Sequence, residues 1–193
     1  MKKPNIGTSF REALSSFRPG DAREAAELSA ILDLFSREGE RLLLREAAYA
    51  HFTASAIILN GKRDRTLMAY HRIYDSWAWT GGHADGEDDP EGIARREAEE
   101  ETGIRDLVRL GPGAASVEIL PVFAHERRGE AVPSHLHLNL SYLFLADDSL
   151  ALRVREEENR AVAWLPCRAL SEYVSEPFMI PIYERLLQRA NDF

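Results

Sequence analysis

The stretch that decides the reading is Gly81-Gly82-His83-Ala84-Asp85-Gly86-Glu87-Asp88-Asp89-Pro90-Glu91-Gly92-Ile93-Ala94-Arg95-Arg96-Glu97-Ala98-Glu99-Glu100-Glu101-Thr102-Gly103-Ile104. A glycine-rich loop runs into a short acidic helix. Nine acidic side chains fall between Asp85 and Glu101, against two arginines, a density of one sign that a solvated face rarely needs. Asp88 or Asp89 suits the N-cap, Pro90 the first turn and Gly103 the stop. Glu97, Glu100 and Glu101 are spaced i, i+3, i+4, so their carboxylates project from one face. Like charges so placed repel each other, and a divalent cation turns that repulsion into binding. Hard oxygen donors suit Mg²⁺, with Mn²⁺ as the other ion.

The same residues resemble the Nudix box, G-x5-E-x7-R-E-U-x-E-E-x-G-U, where U is aliphatic. Gly82 fills the first position, and Arg96, Glu97, Ala98, Glu100, Glu101, Gly103 and Ile104 fill the others at the right spacing. Two positions depart: Asp88 stands where the pattern has its first Glu, and Ala98 is small for its slot. An amphipathic helix with a charged outer face would explain the acid, but not the preceding glycines or the register.

The resemblance implies an α/β (α+β) fold, a mixed β-sheet sandwiched between helices, with the box as a loop-helix-loop. It implies a Mg²⁺-dependent hydrolase of a diphosphate linkage in a nucleoside diphosphate derivative or similar small phosphorylated metabolite. Glu97, Glu100 and Glu101 are the expected metal ligands, joined by a backbone carbonyl of Gly81 or Gly82. Glu97 is either ligand or general base, and the family allows both. Arg96 is expected to orient a glutamate through a charge-assisted hydrogen bond. The catalytic set is thus Glu97, Arg96 and Glu100. Asp88, Glu157 and Glu158 are the candidates for a further acidic ligand, with Glu118 behind them. An exposed acidic turn is the plainer reading of Glu157 and Glu158, and helix capping that of Asp88. If the shorter Asp88 side chain only weakens metal contact, Asp88→Glu retains or raises activity.

The bulk numbers bound this reading. The chain has 193 residues, 45% of them hydrophobic, which suits one domain with a real core. A formal net charge of -8 argues against broad binding to nucleic acid or anionic membrane. It leaves a phosphorylated small molecule open, because bound metal reverses the local field. The single cysteine, Cys167, fits a reducing cytoplasm. No apolar run follows Met1-Lys2-Lys3-Pro4, so no signal peptide is expected.

Along the chain, residues 1–20 read as polar and uncommitted. Asp21 caps a helix to about Ser36, with Ala25, Leu28, Ile31, Leu32 and Phe35 at helical spacing. Gly39 stops it, and 40–50 reads as a second helix. Residues 1–50 are therefore expected as a helical extension packed on a hydrolase domain at 51–193, with a dimer surface or a lid as other uses. A homodimer stays open on the same ground. Strands are expected at 51–59, 66–71, 73–80, 116–125, 134–145 and 161–165, and a terminal helix at 182–190. Trp77 and Trp79 in the aromatic 73–80 stretch, with Tyr74, read as sheet cover or as a platform for a substrate base.

The 134–145 strand alternates cleanly. His135, His137, Asn139 and Ser141 share one face, toward solvent or toward a cleft. His83, Trp79 and His137 are the substrate-binding candidates, and His71 and Arg72 could also touch phosphate. Two histidines at i, i+2 would need more nitrogen or sulfur ligands to hold zinc, and the sequence places none. Two other functions stay in view. One is a non-catalytic ligand-sensing module, which would not need all three glutamates. The other is an isoprenoid-diphosphate isomerase, which would want an active-site cysteine, whereas Cys167 lies far down the chain.

Overall fold

In the computed structural model the described residues are 7–193, apart from Ala48, Tyr74 and Arg128; Arg127 is described in its backbone only. The readings on Met1–Pro4 and Tyr74 fall outside them. The chain runs α1 (Phe10–Ser16), α2 (Ala22–Glu38), a 3-10 turn (Gly39–Leu43), β1 (Ala50–Asn60), β2 (Arg65–His71), β3 (Ser76–Ala78), β4 (Thr80–His83) and α3 (Pro90–Thr102). It continues with β5 (Val108–Leu110), β6 (Ser116–Val122), β7 (His125–Arg127), β8 (Glu130–Val132), β9 (His135–Ala146) and β10 (Asn159–Pro166). A second 3-10 turn (Cys167–Ala169), α4 (Leu170–Tyr173) and α5 (Ile180–Ala190) close the chain.

β10-β2-β1-β9-β5 form the spine of a mixed sheet, with β3 on β2, β4 on β1 and β6 on β9. β1 and β9 are parallel at its centre, from Ala50↔Leu136 to Asn60↔Ala146, and the other pairs are antiparallel. Every residue of β1 is buried, as a central parallel strand covered on both faces requires. Its Phe52, Ala54, Ala56 and Ile58 pack with Phe10, Ile31, Phe35, Leu42, Ile93 and Ala98 on one face. The opposite face carries Ile57, Leu59 and Leu143 under Ile182, Tyr183 and Leu186 of α5. The mixed sheet between helical layers is the expected fold class.

Three expectations are corrected. Residues 10–16 form α1, which a polar reading of 1–20 missed. The signal was present: Ser9 and Glu12 make a reciprocal capping box, and Phe10 stacks 4.5 Å from Phe52. No second helix fills 40–50. Gly39 adopts φ 59 at the end of α2, and the chain makes only a 3-10 turn before β1. Leu42 and Leu43 are buried but Leu44 is exposed, so the consecutive leucines do not mark a helical face. The 73–80 strand is two strands, with β3 pairing β2, β4 pairing β1 and Trp79 between them.

Candidate active site

α3 is built as its sequence demands. Asp89 is the N-cap and accepts the Gly92 N–H at 3.0 Å, Pro90 follows it, and Gly103 ends the helix at φ 79 in the left-handed region. Ile93, Ala94 and Ala98 are completely buried against the sheet. The small Ala98 thus sits where helix meets strand. That packing turns Glu101 and Glu97 toward Gly81 and Gly82 of β4, and leaves Glu100 on the open side of the same helical face.

The three glutamates have different surroundings. Glu101 is buried: Oε1 accepts the Gly81 N–H at 3.0 Å and Oε2 accepts Asn159 Nδ2 at 2.7 Å. Burial pushes its carboxyl up to about 7, against the pull of Asn159 and of Gly81. Burial also raises Glu97, opposed by Arg96, whose Nη2 lies 3.1 Å from Glu97 Oε1. Arg96 also pairs with Glu87. Glu100 is far more open, its side chain 46% exposed.

The glycines before the helix are required by close approach. A Cβ on Gly82 would stand 2.5 Å from the Glu97 carboxyl carbon, and one on Gly81 would meet the Ala54 carbonyl oxygen at 2.7 Å. β4 can lie against β1 and beneath Glu97 only without side chains there.

Arg155 is the residue that sequence reasoning missed. Its Nη1 lies 3.0 Å from Glu100, 3.6 Å from Glu158 and 3.7 Å from Glu97. One cation therefore sits where carboxylates from α3 and from the turn before β10 converge. The structure brings Glu158 to the cluster and leaves Glu157 exposed. Asn159, also unforeseen, ties that turn to Glu101. No local motif marks Arg155 or Asn159, because their partners are 55 and 58 residues away.

Two further acids are placed elsewhere. Asp88 Oδ1 accepts the Phe10 N–H at 2.8 Å, so its carboxylate secures the start of α1. Asp88→Ala is accordingly expected to cost about 1 kcal/mol of stability, as loss of a cap does, and to leave turnover in place. Urea melts and initial rates check this; a collapse of turnover at unchanged stability would return Asp88 to the active centre. Glu118 is fully buried, accepts from Asn139 and Ser141, and pairs with Arg185 at 3.5 Å. It lies beneath the cleft, holding Asn139, which does line it.

The cleft beside the cluster has a volume of about 140 Å³. His71, Trp79, Gly81, Gly82, His83 and His137 help line it, with Glu101 and Glu158 at one side. Thus His83, Trp79 and His137 are together in one cleft, and of the polar row of β9 His137 and Asn139 line the cleft, with Ser141 buried. Register explains the floor: Thr53↔Asn139 and Ser55↔Ser141 across β1 and β9, and Glu118↔Asn139 across β6 and β9. Thr53 and Ser55 both donate to Asn139 Oδ1, at 3.0 and 2.8 Å. Trp79 packs edge-on against Tyr183, ring centroids 5.3 Å apart. Cys167 is not among the lining residues, and burial raises its thiol to about 11.

Comparison with known proteins agrees with this fold. A family model described as NUDIX domain matches residues 49–186. The dihydroneopterin triphosphate pyrophosphohydrolase of E. coli superimposes with TM-score 0.54 at 17% identity, over 72% of this chain and 95% of that one. A C. elegans Ap4A hydrolase binary complex does so with TM-score 0.51 at 15% identity, over 74% and 98%. At such identities the likeness is one of fold. A curated relative, the CMP-5'-(N-acetyl-N-hydroxy-3-aminopropyl)phosphonate hydrolase of Streptomyces rubellomurinus, is 42% identical over 74 residues, 34% of this chain. The match spans about a third of that relative's length, 36%.

Proposed function

This chain belongs to the NUDIX hydrolase family, and we propose that it is a Mg²⁺-dependent hydrolase, Mn²⁺ being the alternative ion, that cleaves a diphosphate linkage in a nucleoside diphosphate derivative or similar small phosphorylated metabolite. The observation that carries the proposal is the convergence of Glu97, Glu100 and Glu158 on one point, the Arg155 guanidinium, with Glu97 packed over Gly82 of β4. The Arg155 guanidinium there tests the fit of a metal. A donor set that gathers around one cation with oxygen atoms alone suits a hard divalent ion. Glu100 and Glu101 would hold it, with a carbonyl of Gly81 or Gly82 and with Glu158 as the further acid, and Glu97 would either join them or serve as the base. When bound, the metal supplies positive charge that offsets the negative charge of the diphosphate.

The chain's own groups do the rest. Glu97, desolvated and hydrogen-bonded to Arg96, is suited to take a proton from the attacking water. Arg96 acts as a positioning residue through Glu97. Glu101, held from both sides by Gly81 and Asn159, fixes the distance between α3 and β4. His83, Trp79 and His137 form the wall for the substrate's non-reacting part. The relative's name makes a cytidine monophosphate joined to a phosphonate one reasonable substrate class. The net charge of -8 supports a small-molecule substrate over nucleic acid or anionic membrane, and no helix of the described residues is long and apolar enough to cross a membrane. The single cysteine supports a cytoplasmic setting. The placement of Cys167 outside the cleft weighs against the isomerase reading.

The test is a panel of nucleoside diphosphate sugars, dinucleotides, nucleotides and CMP-phosphonates with Mg²⁺, native chain against Glu100→Gln. We expect EDTA to abolish turnover, Mg²⁺ to restore it, and Glu100→Gln to lower it by on the order of 10²-fold, the scale of one lost charge-stabilising contact. Turnover that is indifferent to both EDTA and Glu100→Gln would overturn the metal-helix mechanism.

A further inference from the structure

Behind the cleft wall four histidine rings meet. His51 on β1 is the direct partner of His137 in the parallel β1–β9 ladder, and His83 ends β4, opposite Thr53. His135 lies two residues before His137 on β9. The His83 and His137 Nε2 atoms are 3.2 Å apart, and those of His135 and His137 are 3.3 Å apart. The His51 ring centroid lies 5.0 Å from that of His83 and 5.1 Å from that of His137. Candidate ligand nitrogens of His51, His83 and His137 all fall within 4.8 Å of one another.

Two reasons make this more than a hydrogen-bonded cluster. His51 is 5% exposed, and among the described residues its ring has at most a weak contact with the Ala47 backbone, neither nitrogen making a hydrogen bond of ordinary geometry. Leaving buried polar atoms unsatisfied costs about 1–3 kcal/mol, and buried side chains seldom do so without a ligand, water or ion to complete them. The spacing is also near that of a coordination shell. With zinc–nitrogen bonds of about 2.0–2.1 Å, two ligands of a tetrahedron stand about 3.3–3.4 Å apart; His83 and His137 already stand at 3.2 Å, and the whole set lies within 4.8 Å, so it closes on an ion by drawing together slightly.

We propose that His51, His83 and His137 form a second metal site, distinct from the glutamate cluster, that takes zinc or a similar late first-row dication. All three donors are imidazole nitrogens, which such ions prefer and which Mg²⁺ does not. Three protein ligands leave a fourth position for water or for an oxygen of a bound anion. His83 and His137 both line the cleft, so the ion would sit in the wall that faces the substrate. His135 adjoins the site, and its Nδ1 is 2.9 Å from the Pro133 carbonyl oxygen, which leaves Nε2 directed at His137.

The experiment is metal titration of the full chain, stripped with EDTA, in the Glu100→Gln background so that the carboxylate site is weakened. Co²⁺ serves as the spectroscopic probe and Zn²⁺ as the competitor. One equivalent of Co²⁺ is expected to give the intense visible absorption of four-coordinate cobalt, and Zn²⁺ to remove it. Since even outer-shell partners are worth 10–100-fold in metal affinity, loss of a ligand in His137→Ala or His83→Ala should weaken Zn²⁺ binding by on the order of 100-fold or more. His51→Ala should do the same, with its fold checked by circular dichroism; His83, at the cleft surface, is the variant least exposed to a folding failure. Only weak six-coordinate absorption, or a Zn²⁺ isotherm unchanged in His83→Ala and His137→Ala, overturns the site. Neither result bears on Mg²⁺-dependent hydrolysis, which is measured separately.

Discussion

Glu97→Gln lowers turnover by about 10²- to 10⁴-fold, the range expected for loss of a positioned general base, while the fold stays intact. The substitution keeps the shape and an oxygen to accept from Arg96 Nη2, now 3.1 Å away. It removes only the charge and the basicity. Because burial already disfavours the ionised form of Glu97, a neutral amide should not destabilise the protein. The measurement is kcat with saturating Mg²⁺ beside a thermal melt of the same preparation. Parallel loss in Arg96→Gln, with partial rescue in Arg96→Lys, would place Arg96 upstream of Glu97 as a positioning residue. Native turnover in Glu97→Gln would show that the base lies elsewhere, with Glu158 the next carboxylate to test.

The second large effect falls on stability. Glu24 of α2 is completely buried and is held by Arg189 at 2.5 Å, by the Gly20 N–H at 2.8 Å and by Ser116 Oγ at 2.8 Å. Arg185 lies 3.4 Å away and reaches on to Glu118. Glu24→Ala leaves Arg189, 18% exposed, without its acid, and takes from Arg185, 15% exposed, one of its three carboxylates, Asp21 and Glu118 remaining. Removing one partner of a buried pair costs about 3–5 kcal/mol, so the urea midpoint should fall sharply. Burial by itself raises the Glu24 carboxyl, but Arg189, Gly20 and Ser116 more than offset it, and the net shift is downward from 4.5. A depressed carboxylate stabilises the fold above its unfolded pKa, and this contribution is lost as pH falls through the folded value. The difference between native and Glu24→Ala should therefore be full near pH 7 and shrink below 4.5. A difference that stays constant with pH would mean the loss comes from packing rather than from charge.

Glu24 also shows how the N-terminal helices bear on the site. Its partner Ser116 shares Arg185 with Glu118, and Glu118 accepts from Asn139, which in turn receives Thr53 and Ser55. α2 is thereby linked through α5 to the floor of the cleft. Nothing in 21–38 announces this. Glu24 looks like an ordinary first-turn acid, favourable near a helix N-terminus, and its burial depends on where α5 lies.

The amino-acid sequence by itself determined what acts over short range. The cap at Asp89, Pro90, the stop at Gly103 and the common face of Glu97, Glu100 and Glu101 follow from helical geometry alone, and so did the family resemblance. The alternation of β9 sorted its polar row from its apolar row, but not what that row would face. The tertiary structure decided that, through the parallel pairing with β1 that sets His51 beside His137 and Thr53 beside Asn139. It also decided that Arg155 and Glu158 come to the glutamates, and that Asp88 goes to Phe10, 78 residues away. The reason is physical. Capping and i, i+4 spacing involve neighbours whose distance the backbone dictates, whereas contacts between distant segments depend on which faces the whole sheet must bury.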